Sequence, residues 1–315
     1  MDLQETIEYF GVTNSRSCYP KRYEEIDQSL PYFKVYKEND RYNISIYNFI
    51  GHDNADRMPF ICRYLLSNIF PYVKSDLSGF YNIQLHDSYT YLDDKKNYRD
   101  VLTFGSYKND KGPIILPDIY FISNWGNKYS NFKDPITFKE KKAIISFYGT
   151  TTGDRDPTKN ERIQTCLWAI DKPECHFKIT KIAQMNPDTV YTLIPQFSNI
   201  YTNPVSLLDQ FKNKYQLIID GNVSKWDVDC YFSKCLGFAM PSRNMLWYHP
   251  LLQAGTHHVN VNLNNILQTY NYYENNPHEA EHIVKNSNKL AQELFKPENA
   301  HSYTIALFEN IGLNK

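Results

Sequence analysis

From residue 138 onward, short apolar runs alternate with amphipathic ones, and this alternation restricts the possible folds more than any other feature of the chain. "KKAIISFYG" (141–149) reads as a strand that leads into a polar turn, and a helix is expected to begin near Asn160. "KYQLIID" (214–220) is the next strand, "DVDCYFSKCLG" a short helix, "FAMP" a strand and "THHVNVN" another. "LNNILQTYNYYENN" reads as a helix. "PHEAEHIVKNSNKLAQELF" (277–295) opens with proline and an acidic first turn, then spaces its apolar residues for one helical face. "PENAHSYTIALFENIG" (297–312) gives a last helix. Strands that alternate with helices call for a mostly parallel sheet with helices on its faces, an α/β fold. Ligands of such sheets sit at the carboxyl ends of the strands, where polar turns gather.

The first third is less regular. "YKENDRYNISIYNFIG" (36–51) reads as a strand or hairpin, "MPFICRYLLSNIF" (58–70) as a helix, and "GFYNIQLHD" (79–87), "DVLTFGSY" (100–107) and "GPIILPDIYFI" (112–122) as strands. The chain has 315 residues, room for two domains at roughly 100–200 residues each. A formal net charge of −1 gives no broad positive field for nucleic acid or an anionic membrane surface. No apolar run approaches the ~18 residues of a membrane-spanning helix. "MDLQETIEYFGV" has neither the basic nor the apolar part of a signal peptide. Cysteines at 18, 62, 166, 175, 230 and 235 form no C-x-x-C pair, so reduced thiols and a cytoplasmic location are expected.

Candidate chemistry gathers at strand ends. "FYGTTTGDRD" places Gly149, Thr150, Thr151, Thr152 and Gly153 between a strand and a helix. Backbone N–H groups and hydroxyls there suit a phosphate, although no Walker Gly-Lys-Ser/Thr follows, and a plain strand–helix turn fits equally well. Asp220-Gly221-Asn222 turns at the next strand end and precedes Trp226 and Asp227-Val228-Asp229. A metal site, a nucleotide crevice and a surface loop all fit that stretch. An Asp-x-Asp metal site needs both carboxylates on one ion. In a helix the two positions stand about 200° apart, which favours an acidic first turn instead. No metal site is therefore expected. Asp87, beside His86, ends a strand, where a carboxylate serves as a general base or holds a turn; His86 and Asp118 are its nearest substitutes. His257 and His258 in a strand face opposite sides, so at most one lines a site.

In order and spacing, these segments resemble glycosyltransferase family 90. That family comprises capsule-associated and lipopolysaccharide-modifying transferases related to the protein O-glucosyltransferases. The likeness is to its bacterial-type branch and covers about residues 79–310. It is carried by "NIQLHDSY", "DVLTFGSY", "ILPDIYFIS", "SFYGTTTG" with Arg162 in "NERIQTC", "KYQLIIDGNVSKW", "THHVNVNLNNI" and "AEHIVKNSNKLAQELF". The resemblance implies a GT-B-like α/β fold, two Rossmann-like domains facing a central cleft. Residues 1–139 would be the acceptor-side domain, 140–296 the nucleotide-sugar domain, and 297–315 a terminal helix packing back toward the first. It further implies an inverting, metal-independent transfer from a nucleotide sugar, UDP-linked, to a hydroxyl of a glycan or glycoconjugate. No cofactor beyond that substrate is implied, and no nucleic-acid partner. Asp87 matches the family's base. Gly149–Gly153, Arg162, Asp220, Gly221, Asn222, Trp226 and His257 fall on the donor side. The family's Arg ahead of its Gly-Ser-Thr-Thr-Gly is Tyr148 here, and an Arg that follows the Asp-Gly turn in the eukaryotic branch is Asp227. These departures keep a second expectation open, a non-catalytic sugar- or nucleotide-binding protein on the same fold.

Overall fold

The structure, a computed structural model, describes residues 3–7, 20–51, 54–85, 101–107, 114–118, 132–221 and 226–314. The chain divides into two units. The first holds Met1–Ser130, Asn244–Pro250 and Leu294–Lys315, and the second Asn131–Arg243 and Leu251–Glu293. The segment 244–250, assigned from sequence to the nucleotide-sugar domain, is thus counted with the first unit.

In the first unit β1 (Tyr32–Glu38) and β2 (Arg41–Tyr47) form a hairpin. Its turn residues Asn39 and Asp40 have φ of 50° and 58°, the left-handed pair that matches strand twist. Helix α1 (Arg57–Tyr64) runs on into a π turn, Leu65–Ile69. Strand β3 (Gly79–Ile83) pairs antiparallel with β1, β4 (Val101–Thr103) parallel with β3, and β6 (Ile114–Ile115) parallel with β4, while β5 is Ser106–Tyr107. The unit therefore has a mixed five-stranded sheet.

The second unit is a doubly wound sheet. In chain order it contains β7 (Lys142–Thr150), α2 (Glu161–Trp168) and β8 (Cys175–Lys181). Three short helices follow, α3 (Pro187–Leu193), α4 (Phe197–Ile200) and α5 (Leu207–Gln210), then β9 (Asn213–Ile218), α6 (Trp226–Phe232) and β10 (Leu236–Ala239). Strand β11 (Val259–Asn260) and helices α7 (Ile266–Asn275) and α8 (Pro277–Leu294) complete it. All five strands are parallel, in the spatial order β8-β7-β9-β10-β11. The chain leaves β7 for β8 on one side and then returns to lay β9 on the other. The strand order reverses between β7 and β9, and a crevice opens at the carboxyl side of such a reversal. Ile145, Ser146 and Phe147 are all buried although they alternate in direction, as expected of a parallel strand covered on both faces. The core joins Ile145, Phe147, Phe177, Tyr215 and Phe238 to Ile163 of α2 and Ile283 of α8; burying each such side chain is worth about 1.5–3 kcal/mol.

At the amino ends of these strands lies a buried ion pair. Lys141 Nζ donates to Asp134 Oδ2 at 2.6 Å, with the two side chains 0% and 1% exposed. Lys141 also donates to the carbonyl of Phe211, and Asp134 accepts from the amides of Ile136 and Lys234. One charge pair thereby ties together the segments that enter β7, β9 and β10.

Two expectations need correction. Strand β8 and helices α3–α5 were not anticipated. "THHVNVN" is a strand only at Val259–Asn260, because Gly255, at φ +77°, starts a turn in which the amide of His257 donates to the carbonyl of Gln253. The chain ends in α9 (Pro297–Leu313), which belongs to the first unit, with Phe308 edge-on to Phe70 and Tyr303 donating to the carbonyl of Ile115. Cys62, Cys166, Cys175, Cys230 and Cys235 are buried. Burial pushes the thiols of Cys62, Cys166 and Cys175 up to about 12, and that of Cys235 up to about 11. Among the described residues no helix is long and apolar enough to cross a membrane.

Candidate functional site

The carboxyl ends of β7 and β9 bring together most of the donor-side residues expected from sequence. The site is built outward from Phe147. Phe147 and Gly149 share one face of β7, and a Cβ at 149 would lie 2.5 Å from Phe147 Cζ. Glycine here makes room for the ring beneath the loop. Beyond it Thr151 is fully buried, its hydroxyl donating to the carbonyl of Ala183 and accepting from the amide of the same residue, both at 2.8 Å. That anchor fixes the loop's start against the strand that precedes it in space, β8, where Thr151 N donates to Lys181 O.

Asn160 sets the loop's remaining course. It is fully buried, and its Nδ2 donates to the carbonyls of Thr151 and Asp154 at 3.0 and 2.8 Å. Its Oδ1 accepts from Ile163 N at 3.1 Å and so caps α2. Gly153, at φ +119°, provides the left-handed bend this path needs. The loop carbonyls are thus drawn inward, while the amides of Thr152, Gly153 and Asp154 find no acceptor among the described residues. These three successive N–H groups stand ahead of a helix N-terminus, on residues that are half-buried or exposed. Consecutive unpaired amides of this kind favour an anion.

Arg162 occupies the reversal point itself. It is 7% exposed. Its Nε donates to Asp220 O at 3.0 Å, one terminal nitrogen to Thr150 O at 3.2 Å and Thr152 Oγ1 at 2.9 Å, and the other to Ile219 O at 3.1 Å. The ring of Phe147 lies 5.7 Å from the guanidinium carbon. A Cβ at Gly221 would overlap Thr152 Oγ1 and stand 2.7 Å from Arg162 Cζ. Burial lowers the Arg162 pKa to about 10 against the opposing pull of Asp220, so the side chain stays charged at neutral pH. Asp220 Oδ2 accepts from Ser242 Oγ at 2.6 Å. Desolvation, then the Asp220 carboxylate, holds the Glu161 carboxyl above its ordinary value.

Gly149–Gly153, Arg162, Asp220 and Gly221 therefore form one group. Asn222, Asp87 and His86 lie outside the described residues. Trp226 is the first residue of α6, and α6 also carries positions 227 and 229, about 200° apart on a helix. Among the described residues no set of three His, Cys, Asp or Glu is arranged to hold a metal ion. His257 lies in the turn that precedes β11. Its Nδ1 accepts from the amide of Gln253 at 3.0 Å, and burial keeps its pKa low. Tyr148 points away from Phe147, lines an open groove of about 590 Å³ with His176 and Lys178, and has its hydroxyl pKa raised by burial. Sequence reasoning missed the loop-holding role of Asn160 and the bond from Ser242. Asn160 was legible only as a helix start.

No protein-family model matches the chain, and no curated protein matches it in sequence. Partial likenesses occur among solved structures. The C-terminal domain of the glycosyl transferase group 1 family protein LpcC from Francisella tularensis is 11% identical over 50% of this chain and 87% of its own, with a TM-score of 0.34. Anabaena HepE, solved in complex with UDP-glucose, is 10% identical over 60% of this chain and 54% of its own, with a TM-score of 0.37. A glycosyltransferase from Rickettsia africae ESF-5 is 11% identical over 68% of this chain and 64% of its own, with a TM-score of 0.39. The chain thus spans less than two thirds of the last two.

Proposed function

We propose that this protein is an inverting, metal-independent glycosyltransferase that takes a sugar from a uridine diphosphate sugar and passes it to a hydroxyl of a glycan or glycoconjugate. The observation that carries this is the run of three amides, Thr152 to Asp154, that find no acceptor among the described residues, at the carboxyl end of β7 and beside the reversal of strand order. A departing diphosphate needs donors fixed in advance where its charge develops, and these amides are fixed by Asn160, Thr151 and Arg162. The same loop is part of the family 90 resemblance, which adds the sugar donor and the base. Asp87 would deprotonate the acceptor hydroxyl as it attacks the anomeric carbon opposite the nucleotide. The C–O bond to the diphosphate breaks, and its electron pair leaves with the nucleotide.

Tyr148 favours a second reading. It replaces a cation of the family with a half-buried phenol, and a chain so altered could retain the nucleotide without turnover.

Thermal unfolding with a nucleotide panel, with and without Mn²⁺, together with hydrolysis of nucleotide sugars in the absence of acceptor, tests both. The transferase gives stabilisation by UDP without metal, growing as RT ln(1 + [L]/Kd), and slow release of UDP from one sugar nucleotide. Stabilisation with no hydrolysis supports the binding protein. No stabilisation by any nucleotide at millimolar concentration removes the site.

A further inference from the structure

We infer that Arg162 is a positioning residue for the phosphate loop and does not itself touch phosphate. This rests on the nucleotide site proposed above and assigns one residue within it a different task from the one the sequence pattern suggested. A guanidinium has five N–H groups, and Arg162 makes four hydrogen bonds, all to protein oxygens. Three of those oxygens are carbonyls at the ends of two neighbouring parallel strands, Thr150 of β7 and Ile219 and Asp220 following β9. Carbonyls at such ends have run out of ladder partners and repel one another across the gap. One buried cation between them satisfies both sets and fixes their spacing. Its fourth bond, to Thr152 Oγ1, extends the hold to the first of the three unpaired amides.

The surrounding residues are shaped to this cation. Phe147 presents its ring to the guanidinium, and Gly149 leaves space for the ring. Gly221 is the only side-chain size that clears both Thr152 Oγ1 and Arg162 Cζ. A residue held by four bonds, a ring and two glycines has little freedom to turn toward a ligand. Its effect on phosphate passes through the placement of Thr152, Gly153 and Asp154.

The deciding measurement uses the full-length, unmutated protein with its arginine side chains labelled with ¹⁵N, titrated with UDP and with inorganic pyrophosphate. The Nε–H of Arg162 should be slow to exchange in the free protein and should hardly shift at saturation, while the amides of Thr152, Gly153 and Asp154 shift strongly. Loss of that pattern, with a large Arg162 Nε shift or a coupling to phosphorus, overturns the inference and leaves the nucleotide site standing. Absence of binding by both UDP and pyrophosphate overturns the nucleotide site and the inference together.

Variants give an independent arm. Gly221→Ala keeps the cation but displaces it, and is expected to weaken UDP binding at least tenfold, as is Arg162→Lys, which cannot span both strand ends. A double variant no weaker than either single completes the expectation. A direct charge contact to phosphate gives the opposite result in Arg162→Lys, near-normal affinity, because a lysine ammonium keeps the charge without bridging the strand ends, and that result overturns the inference.

Discussion

Asn160 and Thr151 are joined by a 3.0 Å hydrogen bond in which a side-chain amide at the head of α2 donates to a carbonyl of the Gly149–Gly153 loop. Because Asn160 also caps the helix through its oxygen, helix and loop depend on one buried side chain.

Replacing Asn160 by Asp separates the two duties. The carboxylate still accepts from Ile163, but it faces the carbonyls of Thr151 and Asp154 with no proton to donate. Urea unfolding at pH 7.5 should show a loss beyond the ~0.5–2 kcal/mol of an ordinary cap deletion. Protonation restores a donor, so the carboxyl pKa is raised in the folded state. The deficit should therefore shrink as pH falls toward 5. A deficit that does not change with pH would show that the cap alone matters.

The Lys141–Asp134 pair predicts an asymmetry. Asp134→Asn leaves a buried ammonium without its counter-charge and should cost about 3–5 kcal/mol. The double change Asp134→Leu with Lys141→Met removes both charges and should recover much of that loss. Equilibrium denaturation of the three proteins checks it, and equal losses in the single and double variants would contradict it.

Glu161 supplies a pH dependence with a definite sign. Its folded carboxyl is held above the ordinary value of 4.5 by desolvation and by Asp220. The folded state then binds more protons than the unfolded one in the interval above 4.5, and stability declines as pH rises through it. Glu161→Gln should remove that decline, so the variant gains melting temperature relative to the parent at pH 7 but not at pH 4. Parallel melting curves at both pH values would refute it.

Asp87→Asn tests the base. Turnover should fall about 10²–10⁴-fold while UDP affinity hardly changes, since a base for the acceptor need not contact the nucleotide. A folded, UDP-binding and fully active variant would transfer the role elsewhere, with His86 and Asp118 as the next residues to change.

The second unit was largely legible because its sequence obeys local rules. "KKAIISFYG" is a strand, Asn160 heads a helix, and the acidic start of "PHEAEHIVKNSNKLAQELF" marks α8. Strand β8 was overlooked although "CHFKITK" alternates apolar and polar residues, with Cys175, Phe177 and Ile179 inward; an edge strand that alternates carries fewer apolar residues than a central one buried on both faces. The strand "THHVNVN" was read too long because a two-residue strand has no period to read. The glycines were located but not understood. Gly221 is required by Arg162 and Thr152, far away in sequence, and Gly149 by the rotamer of Phe147. The constraint on Gly221 arises only when separate segments are packed together.

The buried thiols turn the protein into its own stopwatch. A maleimide in native buffer can reach Cys62, Cys166, Cys175, Cys230 or Cys235 only after the surrounding segment opens. At Cys62, Cys166, Cys175 and Cys235 the raised thiol pKa also keeps the reactive thiolate scarce until then. The five positions sample α1, α2, β8, α6 and the entry to β10. Mass spectra taken through a labelling time course would therefore rank those segments by how often they open, and repeating the course with UDP would show whether α2, directly behind the Gly149–Gly153 loop, slows more than α1.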